Sequence, residues 1–119
     1  DSIVRGTTSR KLVVALREAG ATEVHMRISS PPVTHPCFYG INTDTQDQLI
    51  AARLTLKEIE EQLKVDSLAY LSKQGMVDAA RAESGDFCTA CFDGNYPIEM
   101  DRELLASKLM LEPAGIAGQ

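Results

Sequence analysis

Leu12, Leu16 and Ala19 fall on one face of a helix; Thr8 or Ser9 can cap its start, and Gly20 stands where a left-handed residue would end it. The stretch that follows, EVHMRIS, alternates. Val24, Met26 and Ile28 point one way and Glu23, His25 and Arg27 the other, as in a strand with one solvated face. Loop, helix and strand in this order read as the back half of a βαβ unit, whose first strand is expected just before Asp1. Residues 29–44, SSPPVTHPCFYGINTD, hold three prolines and no period, so they read as a loop that needs an anchor. Thr45 with Gln48 and Thr55 with Glu58 both have capping-box spacing, the second leading into Leu56, Ile59 and Leu63 on one face. DSLAYLS reads as a short buried strand. Ser72 then caps a helix through Met76, Val77 and Ala80 that Gly85 ends, and residues 101–111 form a helix carrying Leu105 and Leu109. The terminal EPAGIAGQ reads as a frayed tail, and no internal repeat is present.

Composition narrows the class. The chain has 119 residues, 44% hydrophobic and 24% charged, which suits a soluble globular chain of about one domain. No apolar run is long enough to span a bilayer and no secretory leader is present, so a cytosolic setting is expected and a membrane role is not. A start on Asp1 without Met reads as a fragment or processed chain. The net charge of −5 is uneven: residues 1–40 carry five Lys/Arg against three Asp/Glu, and the rest carries seven against fourteen. A nucleic-acid binder would present a strongly basic face, so the mildly basic first third fits a local phosphate better than a polyanion.

That basic third opens with DSIVRGTTSR. Consecutive backbone N–H groups, small hydroxyls and the positive end of a helix together make an anion site. Gly6 would let the backbone approach a phosphate, Thr7, Thr8 and Ser9 would add hydroxyl donors, Arg5 would add charge, and Asp1 could accept hydrogen bonds from sugar hydroxyls. By pattern alone, a capped helix start is the simpler reading of the same residues.

The three cysteines add a second chemistry. Cys88 and Cys91 form a C-x-x-C that can offer two thiolates to one metal centre, and Cys37 lies in the Pro-rich loop. With zinc, His25 or His35 could be the fourth ligand; with an iron–sulfur cluster, a Cys from outside this chain could complete the set. A redox pair is disfavoured because FCTACFDGNYP reads as a loop and not as a helix start after a strand, and a disulfide staple is disfavoured by the odd cysteine count.

Taken in order, DSIVRGTTS, VHMRISSPPVTHPCFYGI, DSLAYLS and FCTACFDGNYP closely resemble the C-terminal part of the amidophosphoribosyltransferase family, over roughly residues 1–97. The resemblance implies an α/β fold, the C-terminal portion of a type I phosphoribosyltransferase domain at residues 1–98, with a C-terminal helix and tail at 99–119. It also implies the first committed step of purine synthesis, in which ammonia from glutamine displaces pyrophosphate from phosphoribosyl pyrophosphate to give 5-phosphoribosylamine. Asp1 would be the second member of the acidic pair that holds the ribose hydroxyls, in a site linked to Mg²⁺. Arg5, Gly6, Thr7, Thr8 and Ser9 would take the 5′-phosphate of substrate or of purine nucleotide feedback inhibitors. Cys37, Cys88 and Cys91 would be three ligands of a structural [4Fe–4S] cluster that pins the Cys37 loop. The resemblance further implies a cytoplasmic homo-oligomer. The first acidic residue, the glutaminase and the fourth cysteine are not in the chain, so it is expected to be inactive alone. Two other classes stay open: a non-catalytic nucleotide-phosphate-binding module and a zinc-stapled interaction domain.

Overall fold

A computed structural model of the chain describes residues 1–41, 43, 45–83 and 85–109. Its elements are α1 (Thr7–Glu18), β1 (His25–Ile28), a 3-10 turn at Gln46–Gln48, α2 (Ile50–Arg53), α3 (Leu56–Leu63), β2 (Ser67–Tyr70), α4 (Lys73–Ala79), α5 (Ala90–Asp93) and α6 (Arg102–Lys108). No helix among the described residues is long and apolar enough to cross a membrane.

β1 and β2 pair in parallel, with His25 opposite Ser67 and Ile28 opposite Tyr70. Parallel strands need a crossover, and here the Pro-rich loop, α2 and α3 supply it. The alternation expected of β1 is present: Val24 and Ile28 are buried while His25 and Arg27 are exposed. Ile3, Ile28, Ile50, Ile59, Leu63 and Leu68 make the core, with Met26, Leu54, Val65 and Tyr70 packed around it. At the lower end of the sheet the Asp66 carboxylate accepts from Val24 N at 2.7 Å and from Arg17 at 2.9 Å, which ties α1 to both strands. Those donors, the Val24 N–H first, hold the Asp66 carboxyl below its ordinary range.

Helix α1 departs from the periodicity reading at its start and on its core face. Its N-cap is Gly6, in the left-handed region at φ 84°, and neither Thr8 nor Ser9 caps it. A Cβ on Gly6 would lie 3.0 Å from Ile50 Cδ1 and 3.5 Å from Leu63 Cδ2, so the helix entry is seated in the core. That seat and the Arg17 bonds to Lys64 O and Asp66 turn the helix so that Val13 is buried. Leu12 and Leu16, expected to face the core, are instead 54% and 42% exposed. The helix end follows expectation: Gly20 N donates to Arg17 O and Ala21 N to Leu16 O, the two bonds of a Schellman motif around a left-handed glycine.

The two capping boxes divide. At Thr55 both bonds form, Glu58 N to Thr55 Oγ1 at 3.3 Å and Thr55 N to Glu58 Oε2 at 2.7 Å, and Ile59 and Leu63 are buried behind them. Leu56, the third apolar residue of that face, is exposed. At Thr45 no cap bond forms: the hydroxyl donates to the Asp47 carboxylate, and the segment makes only one 3-10 turn. Ser72 caps α4 through Gly75 N as expected, but the helix ends at Ala80, well before Gly85. Arg81, at φ 52°, takes the left-handed place there, with Arg81 N bonded to Asp78 O and Ala82 N to Val77 O. Asp101 caps α6 through Glu103 N, and the helix runs to Lys108. The expected end at Leu111 and the EPAGIAGQ tail lie outside the described residues.

Candidate functional site

Because Gly6 is the cap, Thr7, Thr8 and Ser9 are the first three helical residues, and the first helical bond runs from Arg10 N to Gly6 O at 2.9 Å. The N–H groups of residues 7–9 therefore precede the helix's own hydrogen-bond ladder, and the helix dipole adds positive potential where they point. Arg5, Gly6, Thr7 and Thr8 line a cleft of about 340 Å³ together with Ser2, Val4, Ile41 and Thr43. Ser9 is not in that lining. On the other side of the loop, Arg10 and Lys11 line a shallow groove between α1 and α3, again with Arg5, Gly6 and Thr7.

A larger cleft of about 810 Å³ shares Ser2, Val4, Ile41 and Thr43 as walls, and it holds Asp1, Cys37, Cys88 and Cys91 together. The sugar-binding candidate thus lies next to the phosphate cleft but not within it. The three thiols come together across a gap of 51 positions in sequence. Cys37 and Cys91 are half-buried and Cys88 is exposed; none is in a disulfide. Burial pushes the Cys91 thiol up, and the nearby Cys37 and Cys88 sulfurs push it further. Cys37 behaves oppositely. Burial would raise its pKa, but the N–H groups of Tyr39, Ile41 and Gly40, with Lys108 adding charge, bring it below the ordinary value. Tyr39 N lies 3.4 Å from Cys37 Sγ.

The anchor of the Pro-rich loop is visible as hydrogen bonds. Thr34 N and His35 N both donate to Cys91 O at 3.0 Å, and Thr34 Oγ1 donates to Phe92 O. The Tyr96 hydroxyl donates to Pro36 O at 2.8 Å, Tyr39 Oη to Ile98 O, and Lys108 Nζ to Cys37 O. Burial pushes the Tyr96 hydroxyl up to about 12, so it stays a donor. Phe38 and Tyr39 meet the edge of Tyr96, with Lys108 over the Phe38 ring. The loop is thus docked by protein contacts before any metal is considered.

C-x-x-C does not sit wholly in a loop as expected. Cys91 belongs to the one-turn helix α5, and Cys88 lies two residues before it. Asp93 fixes this turn: its carboxylate accepts from Lys73 Nζ at 2.5 Å, Thr89 Oγ1 at 2.8 Å and Asn95 N at 2.8 Å. Burial would raise its pKa, but those three donors outweigh burial and bring it to about 2.

Among the described residues, no three His, Cys, Asp or Glu side chains are arranged to hold a single metal ion. His25 bonds Ser67 Oγ and Glu23 on the exposed strand face, and His35 packs on Gly94 and bonds Thr34; neither lines the thiol cleft. Sequence reasoning missed Ile41, Thr43 and Asp93. Periodicity does not mark such residues, since their roles arise only when the loop closes on distant segments.

A parallel strand pair, a helix with a glycine-seated N-terminus and a crossover of loop and short helices make a portion of an α/β fold. No protein-family model matches the chain. It is 74% identical over 112 residues to the amidophosphoribosyltransferase of Synechococcus elongatus, a match covering 94% of this chain and 23% of that protein. With the Bacillus subtilis amidophosphoribosyltransferase it shares 52% over 104 residues, covering 84% of this chain and 22% of the other. The solved structure of glutamine phosphoribosylpyrophosphate amidotransferase from B. subtilis complexed with ADP and GMP matches with a TM-score of 0.78 at 50% identity, over 86% of this chain and 23% of that one. A structure described as the allosteric regulatory enzyme of purine biosynthesis matches with a TM-score of 0.79, over 87% and 23%. The stretch is homologous to part of an amidophosphoribosyltransferase, and it spans about a quarter of the length of the curated relatives it matches.

Proposed function

We infer that the chain supplies the 5′-phosphate loop of an enzyme that makes 5-phosphoribosylamine from phosphoribosyl pyrophosphate and glutamine. The observation that carries this reading is the glycine-seated start of α1. It turns the N–H groups of Thr7, Thr8 and Ser9 free of the helix ladder beside a cleft lined by Arg5, Gly6, Thr7 and Thr8. A phosphate dianion there gains charge-assisted bonds and the helix dipole together. Asp1, on the adjoining cleft, would accept from the ribose hydroxyls, and Mg²⁺ would accompany the pyrophosphate. Purine nucleotides carry the same 5′-phosphate and would compete for the loop as feedback inhibitors; a solved relative is described in complex with ADP and GMP. The whole enzyme would act as a cytoplasmic homo-oligomer, with residues 1–98 as the C-terminal part of its phosphoribosyltransferase domain.

The thiol cleft suits a [4Fe–4S] cluster better than a zinc ion. One zinc needs all its ligands within about 2.3 Å of a single point, whereas a cluster spreads its thiolates over separate irons. Three sulfurs on one cleft, no histidine among them, and an N–H donated to Cys37 Sγ fit the second case, with a fourth ligand from outside this chain. When bound, the cluster would add a tie between the Cys37 loop and the C-x-x-C turn and take no part in the transfer itself.

The test is calorimetry with AMP and with adenosine. Each charge-assisted bond lost costs about 1.5–3 kcal/mol, so AMP is expected to bind and adenosine to give no measurable heat. Equal affinities would reduce the loop to an ordinary helix start.

A further inference from the structure

We propose that Thr43 is a positioning residue that couples the phosphate cleft to the Cys37 thiol, so that anion binding at one alters exposure at the other. The inference rests on the phosphate-loop reading above and adds a linkage to it. Thr43 and Ile41 are walls of both clefts. The Thr43 hydroxyl accepts from Cys37 N at 2.7 Å, and Thr43 N donates to Ile41 O at 2.9 Å. Before Cys37 the chain is clamped, through Thr34, His35 and Pro36, to Cys91, Phe92 and Tyr96. After Cys37, Phe38 and Tyr39 are still held by Tyr96 and Ile98, and beyond Tyr39 the Cys37–Thr43 bond ties Thr43 back to Cys37. An anion on Arg5–Thr8 occupies the space that Ile41 and Thr43 border, so it restrains the far end of the turn whose near end carries the sulfur. Linkage requires the reverse effect as well: whatever displaces Cys37 weakens anion binding by the same factor.

The experiment measures the rate of iodoacetamide alkylation at each cysteine by mass spectrometry. It uses the metal-free chain at one pH, with and without AMP, whose binding is followed by calorimetry on the same sample. Saturating AMP is expected to slow alkylation of Cys37 about five-fold, equivalent to about 1 kcal/mol at 1.4 kcal/mol per decade. Thr43→Val should abolish that protection and Thr43→Ser should keep it. Hydrogen exchange on α3 gives a readout of global folding for both variants. AMP that binds without changing the Cys37 rate, protection that survives in Thr43→Val, or equal slowing at all three cysteines would overturn the coupling and leave the phosphate loop standing. Absence of AMP binding would overturn both.

Discussion

Replacing Gly6 with Ala should be among the most destabilising single-methyl changes in the chain. Gly6 holds φ 84°, a region that costs an L-residue about 1–2 kcal/mol. The added Cβ would also stand 3.0 Å from Ile50 Cδ1, and Ile50 is fully buried, so its methyl cannot swing into solvent. Overpacking of this kind costs about 1–3 kcal/mol. Together the two effects amount to roughly 3 kcal/mol, a large share of the 5–15 kcal/mol typical of a domain. At an m-value of about 1.5–2 kcal/mol/M, the urea midpoint should fall by about 1.5–2 M. Gly20→Ala is the control, since Gly20 has φ 105° with nothing within 4 Å of an added Cβ. It carries the backbone cost without the clash. If Gly6→Ala loses no more than Gly20→Ala, the helix entry is not seated on Ile50 and the geometry of the phosphate loop must be redrawn.

Asp93 has its carboxyl depressed to about 2, so its contribution is present above the unfolded value near 4 and is lost as pH falls toward 2. After allowance for solvent screening that is about 1 kcal/mol, and Asp93→Asn should flatten the acid limb of a urea-midpoint profile between pH 4 and 2. Lys64, at φ 58° on the end of α3, should give a gain of up to about 1 kcal/mol on Lys64→Gly, seen as a higher thermal midpoint. Tyr96→Phe removes the bond to Pro36 O and should cost about 1 kcal/mol and loosen hydrogen exchange at residues 34–39. By contrast, Cys88→Ser in metal-free chain should leave that exchange unchanged, because the loop is docked by Thr34, His35 and Tyr96.

Strand β1, the Thr55 cap and the Gly20 stop were legible because each follows from local rules: alternation, a reciprocal pair three apart, a left-handed glycine. Strand β2 stands where DSLAYLS predicts one, but it is not a buried strand: only Leu68 is buried and Ala69 is exposed. The roll of α1 was not legible. Leu12, Leu16 and Ala19 form a regular stripe, yet the long-range seat of Gly6 on Ile50 and the Arg17 bonds to Lys64 O and Asp66 decide which side is buried. Arg81 ends α4 for a similar reason, since position relative to the cap bonds outweighs the preference for glycine. For the candidate site, residue type and order singled out Arg5–Thr8 and the three cysteines, which line two adjoining clefts. They did not single out the Asp93 hub and the Thr43 wall, because each acts through partners distant in the chain.

The central claim, that the start of α1 holds a 5′-phosphate, is tested most directly by amide NMR of the chain during titration with AMP and, separately, adenosine. The N–H signals of Thr7, Thr8 and Ser9 should move downfield and saturate with AMP, with Gly6 following, while adenosine leaves them in place. Shifts that are the same for both ligands, or that arise elsewhere with residues 6–9 silent, would contradict the claim.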